Sequence, residues 1–226
     1  MPPTTARERA RAELTARITE RARAQLATVG AAGLSVRGVA RDLGMASSAM
    51  YRYFPSREDL LTRLIIDGYD ALGAAAEAAD DRAAAPQQRW PAVCRAVRSW
   101  ARAHPHEYAL LYGSPVPGYS APQDTVPAAA RVAAVLGRVL GDAARTGALP
   151  VAAGTPTGTV PTGLAELLGG AHPALHDRVR TRALLAWSGL FGAVSFELFG
   201  HFAGAVTDAD AFFDDAVRDL GALIGL

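Results

Sequence analysis

Between Ser35 and Pro55 one apolar pattern occurs twice. Val36, Val39, Ala40 and Leu43 stand at i, i+3, i+4 and i+7, and Ala46, Ala49, Met50 and Tyr53 repeat that spacing. Each set falls on one side of a helix of 3.6 residues per turn. Ser35 stands in capping position before the first, Gly44 stops it, and Pro55 ends the second. Two short helices joined by a turn of two or three residues make a helix-turn-helix, which buries its apolar stripes only against a third element. That element precedes them. Thr5 and Glu8 have the capping-box form, and Ala10, Leu14, Ile18, Ala22, Leu26 and Val29 follow at three- to four-residue spacing up to Gly30 and Gly33.

Packing Ala46, Ala49, Met50 and Tyr53 inward leaves Ser47, Ser48, Tyr51 and Arg52 on the outer face. Hydroxyls and a phenol bind phosphates, and an arginine reaches a phosphate or a base edge. Charge points the same way. Ten arginines and four acids lie between Arg7 and Arg57, a balance of +6, so the rest of a chain of net charge +1 carries −5. A basic N-terminal segment on a mildly acidic body suits a two-part molecule. An ordinary helical hairpin with a solvated face remains open on these residues alone.

Composition excludes other classes. All 23 basic residues are arginine, a bias best explained by GC-rich coding. The single Cys94 rules out an internal disulfide framework and a multi-cysteine metal site. No apolar run reaches the roughly 18 residues of a membrane span. The N-terminus is charged where a signal peptide needs its apolar core. A cytoplasmic protein without cofactor is expected. No nucleophile elbow, phosphate-binding loop, dinucleotide fingerprint or zinc-protease helix is present, so no enzyme is expected. His104-Pro-His106 is the one close histidine pair, and its proline spoils helical ligand spacing, so no metal is expected either.

The run SVRGVARDLGMASSAMYRYFPSREDLL, Ser35 to Leu61, resembles the DNA-binding signature of TetR-type transcriptional regulators, Tyr51 to Arg57 being its most specific part. The resemblance covers about the first 70 residues. It implies a three-helix DNA-binding domain, residues 1–55, followed by a helical ligand-binding and dimerisation domain, residues 56–226. It also implies that Ser35 caps the second helix and touches phosphate, with Arg37 near the same helix start. Ser47, Ser48, Tyr51 and Arg52 would form the recognition face, and Arg57 would clamp the DNA backbone. Ala46 stands where the family usually has a hydroxyl cap, which shifts the helix start to Ser47. Ser47 itself replaces a frequent lysine or arginine.

The remainder reads as all-α. Leu60, Leu61, Leu64 and Ile65 mark a fourth helix running toward Ala79, with Ser56 and Asp59 at its start. Further helices are expected near Arg89–Ala103, His106–Tyr112, Val126–Arg145, Pro173–Phe199 and Thr207–Ile224. Gly113–Pro122 and Gly147–Pro161 are too rich in proline and glycine for helix. In the resembled family the last two helices pair across a two-fold axis. Leu184, Leu185, Phe191, Val194 and Leu198, with Phe212, Phe213, Val217, Leu220 and Ile224, supply apolar surface for that. Polar-tipped aromatics suit a ligand pocket. The candidates are Trp100, His104, Tyr108, Tyr112, Trp187 and Phe191, with Glu197 behind. The segments HPHEYALLYGSPVPGY and WSGLFGAVSFELFGH resemble the C-terminal domain of an actinobacterial-type subgroup.

The expected function is a ligand-responsive repressor that binds a palindromic operator in double-stranded DNA as a homodimer and is released by a small apolar or amphipathic effector. The other reading is a helical ligand- or partner-binding module without DNA activity.

Overall fold

The computed structural model describes residues 5–149 and 177–226, and every regular element among them is helical. The helices are α1 (Ala6–Gly33), α2 (Val36–Asp42), α3 (Ser47–Met50), α4 (Arg57–Ala79), α5 (Pro86–Ala103), α6 (Pro105–Tyr112), α7 (Val126–Arg145), α8 (Asp177–Leu198) and α9 (Ala209–Ile224). None of these is long and apolar enough to cross a membrane. The chain divides into two compact units, one of Met1–Tyr69 with His104–Val126, the other of Asp70–Ala103 with Pro127–Leu226.

In the first unit α1 starts with a complete capping box. The Glu8 amide donates to Thr5 Oγ1 at 3.2 Å, and the Thr5 amide donates to Glu8 Oε2 at 2.8 Å. Ile18, Ala22 and Leu26 are buried as the spacing predicts, whereas Ala10 and Val29 at the two ends are exposed. Gly30, at φ +65, breaks the helix. One core gathers Ile18, Ala22 and Leu26 with Leu34, Val36, Val39, Ala40, Met50, Phe54, Leu60, Leu61 and Leu64. Leu110, Val116 and Tyr119 pack against it, and the Thr62 and Tyr119 hydroxyls hydrogen-bond at 2.9 Å. The first turns of α4 and the α6 region thus complete the core of the first unit.

In the second unit α8 and α9 lie so close that a Cβ on Gly189 would sit 2.7 Å from Leu220. Trp90 on α5 donates its indole N–H to the Val217 carbonyl of α9 at 2.9 Å. A Cβ on Gly73 of α4 would meet Arg131 of α7 at 2.6 Å, and over this crossing Arg131 reaches Asp70 and Glu77. Phe191, Val194, Phe213, Val217 and Ile224, expected as dimer surface, are instead buried within the protomer. Leu184, Leu185 and Phe212 stay exposed, joined by Phe196, Phe199 and Leu223. The expected start of α8 at Pro173, and the part of the Gly147–Pro161 loop beyond residue 149, lie outside the described residues.

Candidate nucleic-acid interface

The corner between α1 and α2 begins the site. Ser35 is extended and its Oγ accepts from the Gly38 amide at 3.3 Å, satisfying one of the free donors at a helix start. Two turns later Gly44, at φ +65, makes the sharp reversal into α3. Ala46 occupies the cap position of α3 and makes no side-chain hydrogen bond, so the helix begins at Ser47 uncapped. Only Ser47–Met50 is regular α-helix. The Arg52 and Tyr53 amides turn back to Ala49 and Met50 in tighter i to i+3 bonds. Met50 and Phe54 enter the core and Tyr53 is half-buried, while Ala46, expected inside, is exposed because it precedes the helical turn.

Ser47, Ser48, Tyr51 and Arg52 all face solvent, Tyr51 being 38% exposed despite its ring. Ser35 and Arg37 are exposed as well. The back of this face is tied to α1. Arg11 Nη2 donates to the Arg52 carbonyl at 3.4 Å and its guanidinium lies 5.2 Å from the centre of the Tyr53 ring.

The structure sorts the arginines of the head into two sets. Arg21 Nε and Gln25 Nε2 both donate to Asp42, at 2.9 and 3.0 Å. The Gln25 bond first, and the Arg21 bond with it, hold the Asp42 carboxyl below its usual value. That neutralises the one acid between Leu34 and Arg57. Arg23 is committed to Asp67 at 3.0 Å and Glu107 at 3.2 Å, joining α1 to α4 and α6. Arg37, Arg41 and Arg52 are exposed, with no ion pair among the described residues. Arg41 was not among the sequence candidates, although its i+4 spacing from Arg37 puts both on one face of α2.

Arg57 is the residue that the resemblance makes a clamp on the DNA backbone. Its guanidinium turns inward, donating from Nε to the Leu34 carbonyl at 3.0 Å and from Nη2 to the carbonyls of Ala31 and Ala32 at 2.9 and 3.2 Å.

The effector candidates fall in both units. In the first, Tyr108 is fully buried and its ring lies 5.1 Å from that of Tyr112, which meets Tyr69 edge-on at 5.9 Å. Burial first, then the neighbouring phenols, pushes the Tyr112 hydroxyl far above its usual value. Tyr69 is not among the sequence candidates, since as one aromatic in a helix read as apolar it gives no separate signal. His104 is exposed just ahead of α6. In the second unit Trp187 is half-buried with its ring 4.5 Å from Phe191, and Trp100 is buried on α5. Glu197 is held by Arg98 at 2.7 and 2.8 Å. Burial raises the Cys94 thiol out of the reactive range. No group of three or more metal-ligating side chains occurs among the described residues.

Comparison with known proteins places this arrangement. Residues 18–64 match the bacterial regulatory proteins of the tetR family, and residues 90–220 match the tetracyclin repressor-like C-terminal domain. The HTH-type transcriptional regulator Rv1816 of Mycobacterium tuberculosis is 41% identical, with 96% of this chain and 95% of that protein aligned. The crystal structure of SCO4313, described as regulatory, superposes with a TM-score of 0.76 at 34% identity, covering 96% of this chain and 98% of that one. The TetR-family regulator PfmR of Thermus thermophilus shares the fold, with a TM-score of 0.60 at 18% identity over 92% of this chain and 97% of its own. These relatives are regulators and not enzymes. A helix-turn-helix that presents unpaired arginines and hydroxyls, on a chain that aligns with such regulators almost from end to end, makes this protein a member of the TetR family of DNA-binding transcriptional regulators.

Proposed function

We propose that this regulator is a repressor that binds a palindromic operator as a homodimer and releases it when a small apolar or amphipathic effector binds. The observation that carries the operator contact is the set of exposed cations and hydroxyls at the start of α2 and along Ser47 to Arg52. In this reading Arg37 and Ser35 meet phosphate, Ser47, Ser48 and Tyr51 fix the register, and Arg52 reads a phosphate or base edge. Two such faces must be spaced about 34 to 36 Å apart to enter successive major grooves. The exposed Leu184, Leu185, Phe196, Phe199 and Phe212 support pairing of two protomers. Operator binding puts the protein in the cytoplasm.

For the effector, Tyr112 and Trp187 are the candidates that can touch a ligand without unpacking, since each is half-buried. In the first unit Tyr108 packs against Tyr112, with His104 as a further candidate, and in the second unit Phe191 packs against Trp187, with Trp100 as a further candidate. An effector releases DNA only if it binds more tightly to the arrangement that DNA disfavours. Helix α4 contributes residues to both units and is the proposed lever.

The test is selection of bound duplexes from random DNA, repeated in the presence of candidate apolar effectors. A palindrome that is enriched, and lost when an effector is added, supports the whole reading. Arg52→Ala is expected to weaken binding to it by about 1 to 3 kcal/mol. Affinity flat against salt and indifferent to that substitution sinks the operator face.

A further inference from the structure

Past the kink at Gly30, α1 has no basic side chain in its own last turn to meet its free carbonyls. Arg57, the first residue of α4, supplies the donors from 23 to 26 positions away in sequence, one planar fork spanning the carbonyls of Ala31, Ala32 and Leu34. A cation at a helix C-terminus is also favoured by the helix dipole. Leu34 is buried and its carbonyl leads directly into Ser35, the residue whose side chain starts α2 and which precedes Arg37 by two positions. The Leu34–Ser35 peptide is therefore held from the α4 side, and the direction in which α2 leaves α1 depends on that hold. A phosphate clamp needs its guanidinium pointing outward. Here Nε and Nη2 are committed to protein carbonyls.

We infer that Arg57 is a positioning residue for DNA binding, which pins the α1–α2 corner from within and contributes no phosphate contact. The inference rests on the operator face proposed above, and it assigns to α4 a specific grip on the start of α2. Any shift of the first turn of α4 would be passed to Ser35 and Arg37 through this fork.

Salt dependence separates the two roles, because each phosphate contact adds about 0.9 to the slope of log affinity against log salt. The full-length protein, its Arg57→Gln, Arg57→Lys and Arg37→Gln variants, and the selected duplex are compared by fluorescence anisotropy over a salt series. Arg57→Gln is expected to lose about tenfold to a hundredfold in affinity, as for loss of charge-assisted hydrogen bonds, with an unchanged slope. Arg57→Lys should fail to restore affinity, since one ammonium cannot span three carbonyls as a planar fork does. Arg37→Gln should flatten the slope by about 0.9. In the absence of DNA, hydrogen exchange at the Gly38 amide should quicken in Arg57→Gln while that in α9 stays as in the parent.

A slope lowered by about 0.9 in Arg57→Gln and restored by lysine would overturn the inference. So would unchanged exchange at Gly38. If Arg57→Gln unfolds, Arg57→Lys decides alone: weakened binding at the parental slope supports the pin, and parental affinity refutes it. If the parent protein binds no duplex, the operator face fails, while exchange at Gly38 still reads the pin.

Discussion

Arg89 and Asp80 form a bidentate ion pair with each side chain only 2% exposed, Nε and Nη2 of the arginine meeting Oδ1 and Oδ2 at 2.6 and 3.1 Å. Asp142 of α7 accepts from the remaining Nη1, so one guanidinium holds the end of α4, the start of α5 and α7 together. A buried pair of this kind adds little beyond an apolar replacement, but removing one partner strands the other. Arg89→Met leaves two carboxylates facing each other. The expected loss is about 3 to 5 kcal/mol. Thermal unfolding should show it as a fall in Tm of roughly 6 to 20 °C. An unchanged Tm would mean that α5 is held by its apolar face alone.

Gly44 sets the angle of the helix-turn-helix. Its φ of +65 lies in the left-handed region, and a Cβ placed there meets nothing within 4 Å. Strain and not collision is therefore the cost of a side chain. Gly44→Ala should destabilise by about 1 to 2 kcal/mol, and Gly44→Asn by less, because asparagine tolerates that region. Chemical denaturation of the three proteins checks the order. Equal stability of all three would show that the turn relaxes to another conformation.

The Arg131 hydrogen bonds hold the Glu77 carboxyl below its ordinary value of 4.5, against the opposing effect of burial. A depressed folded value means stability that is full above 4.5 and lost as the pH falls through the lowered value. Asp142 is depressed as well, its bonds to Arg89 and Arg145 outweighing burial. Tm should therefore be level from neutral pH down to about 5 and fall below about 4. Arg131→Gln should make the acid-side decline shallower while lowering Tm at neutral pH. An acid limb identical in both proteins would remove Glu77 from the account.

Leu185 is 55% exposed on α8, beside Leu184 at 39%. If two protomers pair there, Leu185→Glu should shift sedimentation from dimer to monomer at micromolar protein while the circular dichroism of the fold persists. Operator affinity should fall with it, since a lone head reads one half-site. A monomeric parent would refute the dimer, and a variant that stays dimeric would move the contact elsewhere.

Much of the head was legible from residue order because helix formation and capping are local. The doubled spacing of Val36–Leu43 and Ala46–Tyr53, the Thr5–Glu8 box and the glycines at 30 and 44 each act over a few residues, and α2 and the start of α3 lie where they indicate, while α3 ends at Met50, short of Pro55, and α1 continues to Gly33 past a kink at Gly30. The outward face of Ser47, Ser48, Tyr51 and Arg52 followed from the same periodicity. Ser56 was legible in part. Its Oγ accepts from the Asp59 amide at 3.0 Å, but the aspartate returns to the hydroxyl and not to the backbone.

Which arginines are free was decided only by the tertiary structure. Arg21, Arg23, Arg37, Arg41, Arg52 and Arg57 are chemically alike in the chain, and a net charge of +6 counts them equally. Asp42, Asp67, Glu107 and the carbonyls after Gly30 reach three of them across helix contacts that no short-range pattern encodes. The same holds for Tyr108 against Tyr112 and for Phe191 against Leu185, where spacing marks a residue as apolar and only the approach of a second helix makes it core or surface. Sequence by itself determined a basic helix-turn-helix on an all-helical body, because periodicity, caps and turns are written in neighbouring residues. Long-range packing decided which of its charges remain for DNA, since pairing is a matter of distance between elements and not of order along the chain.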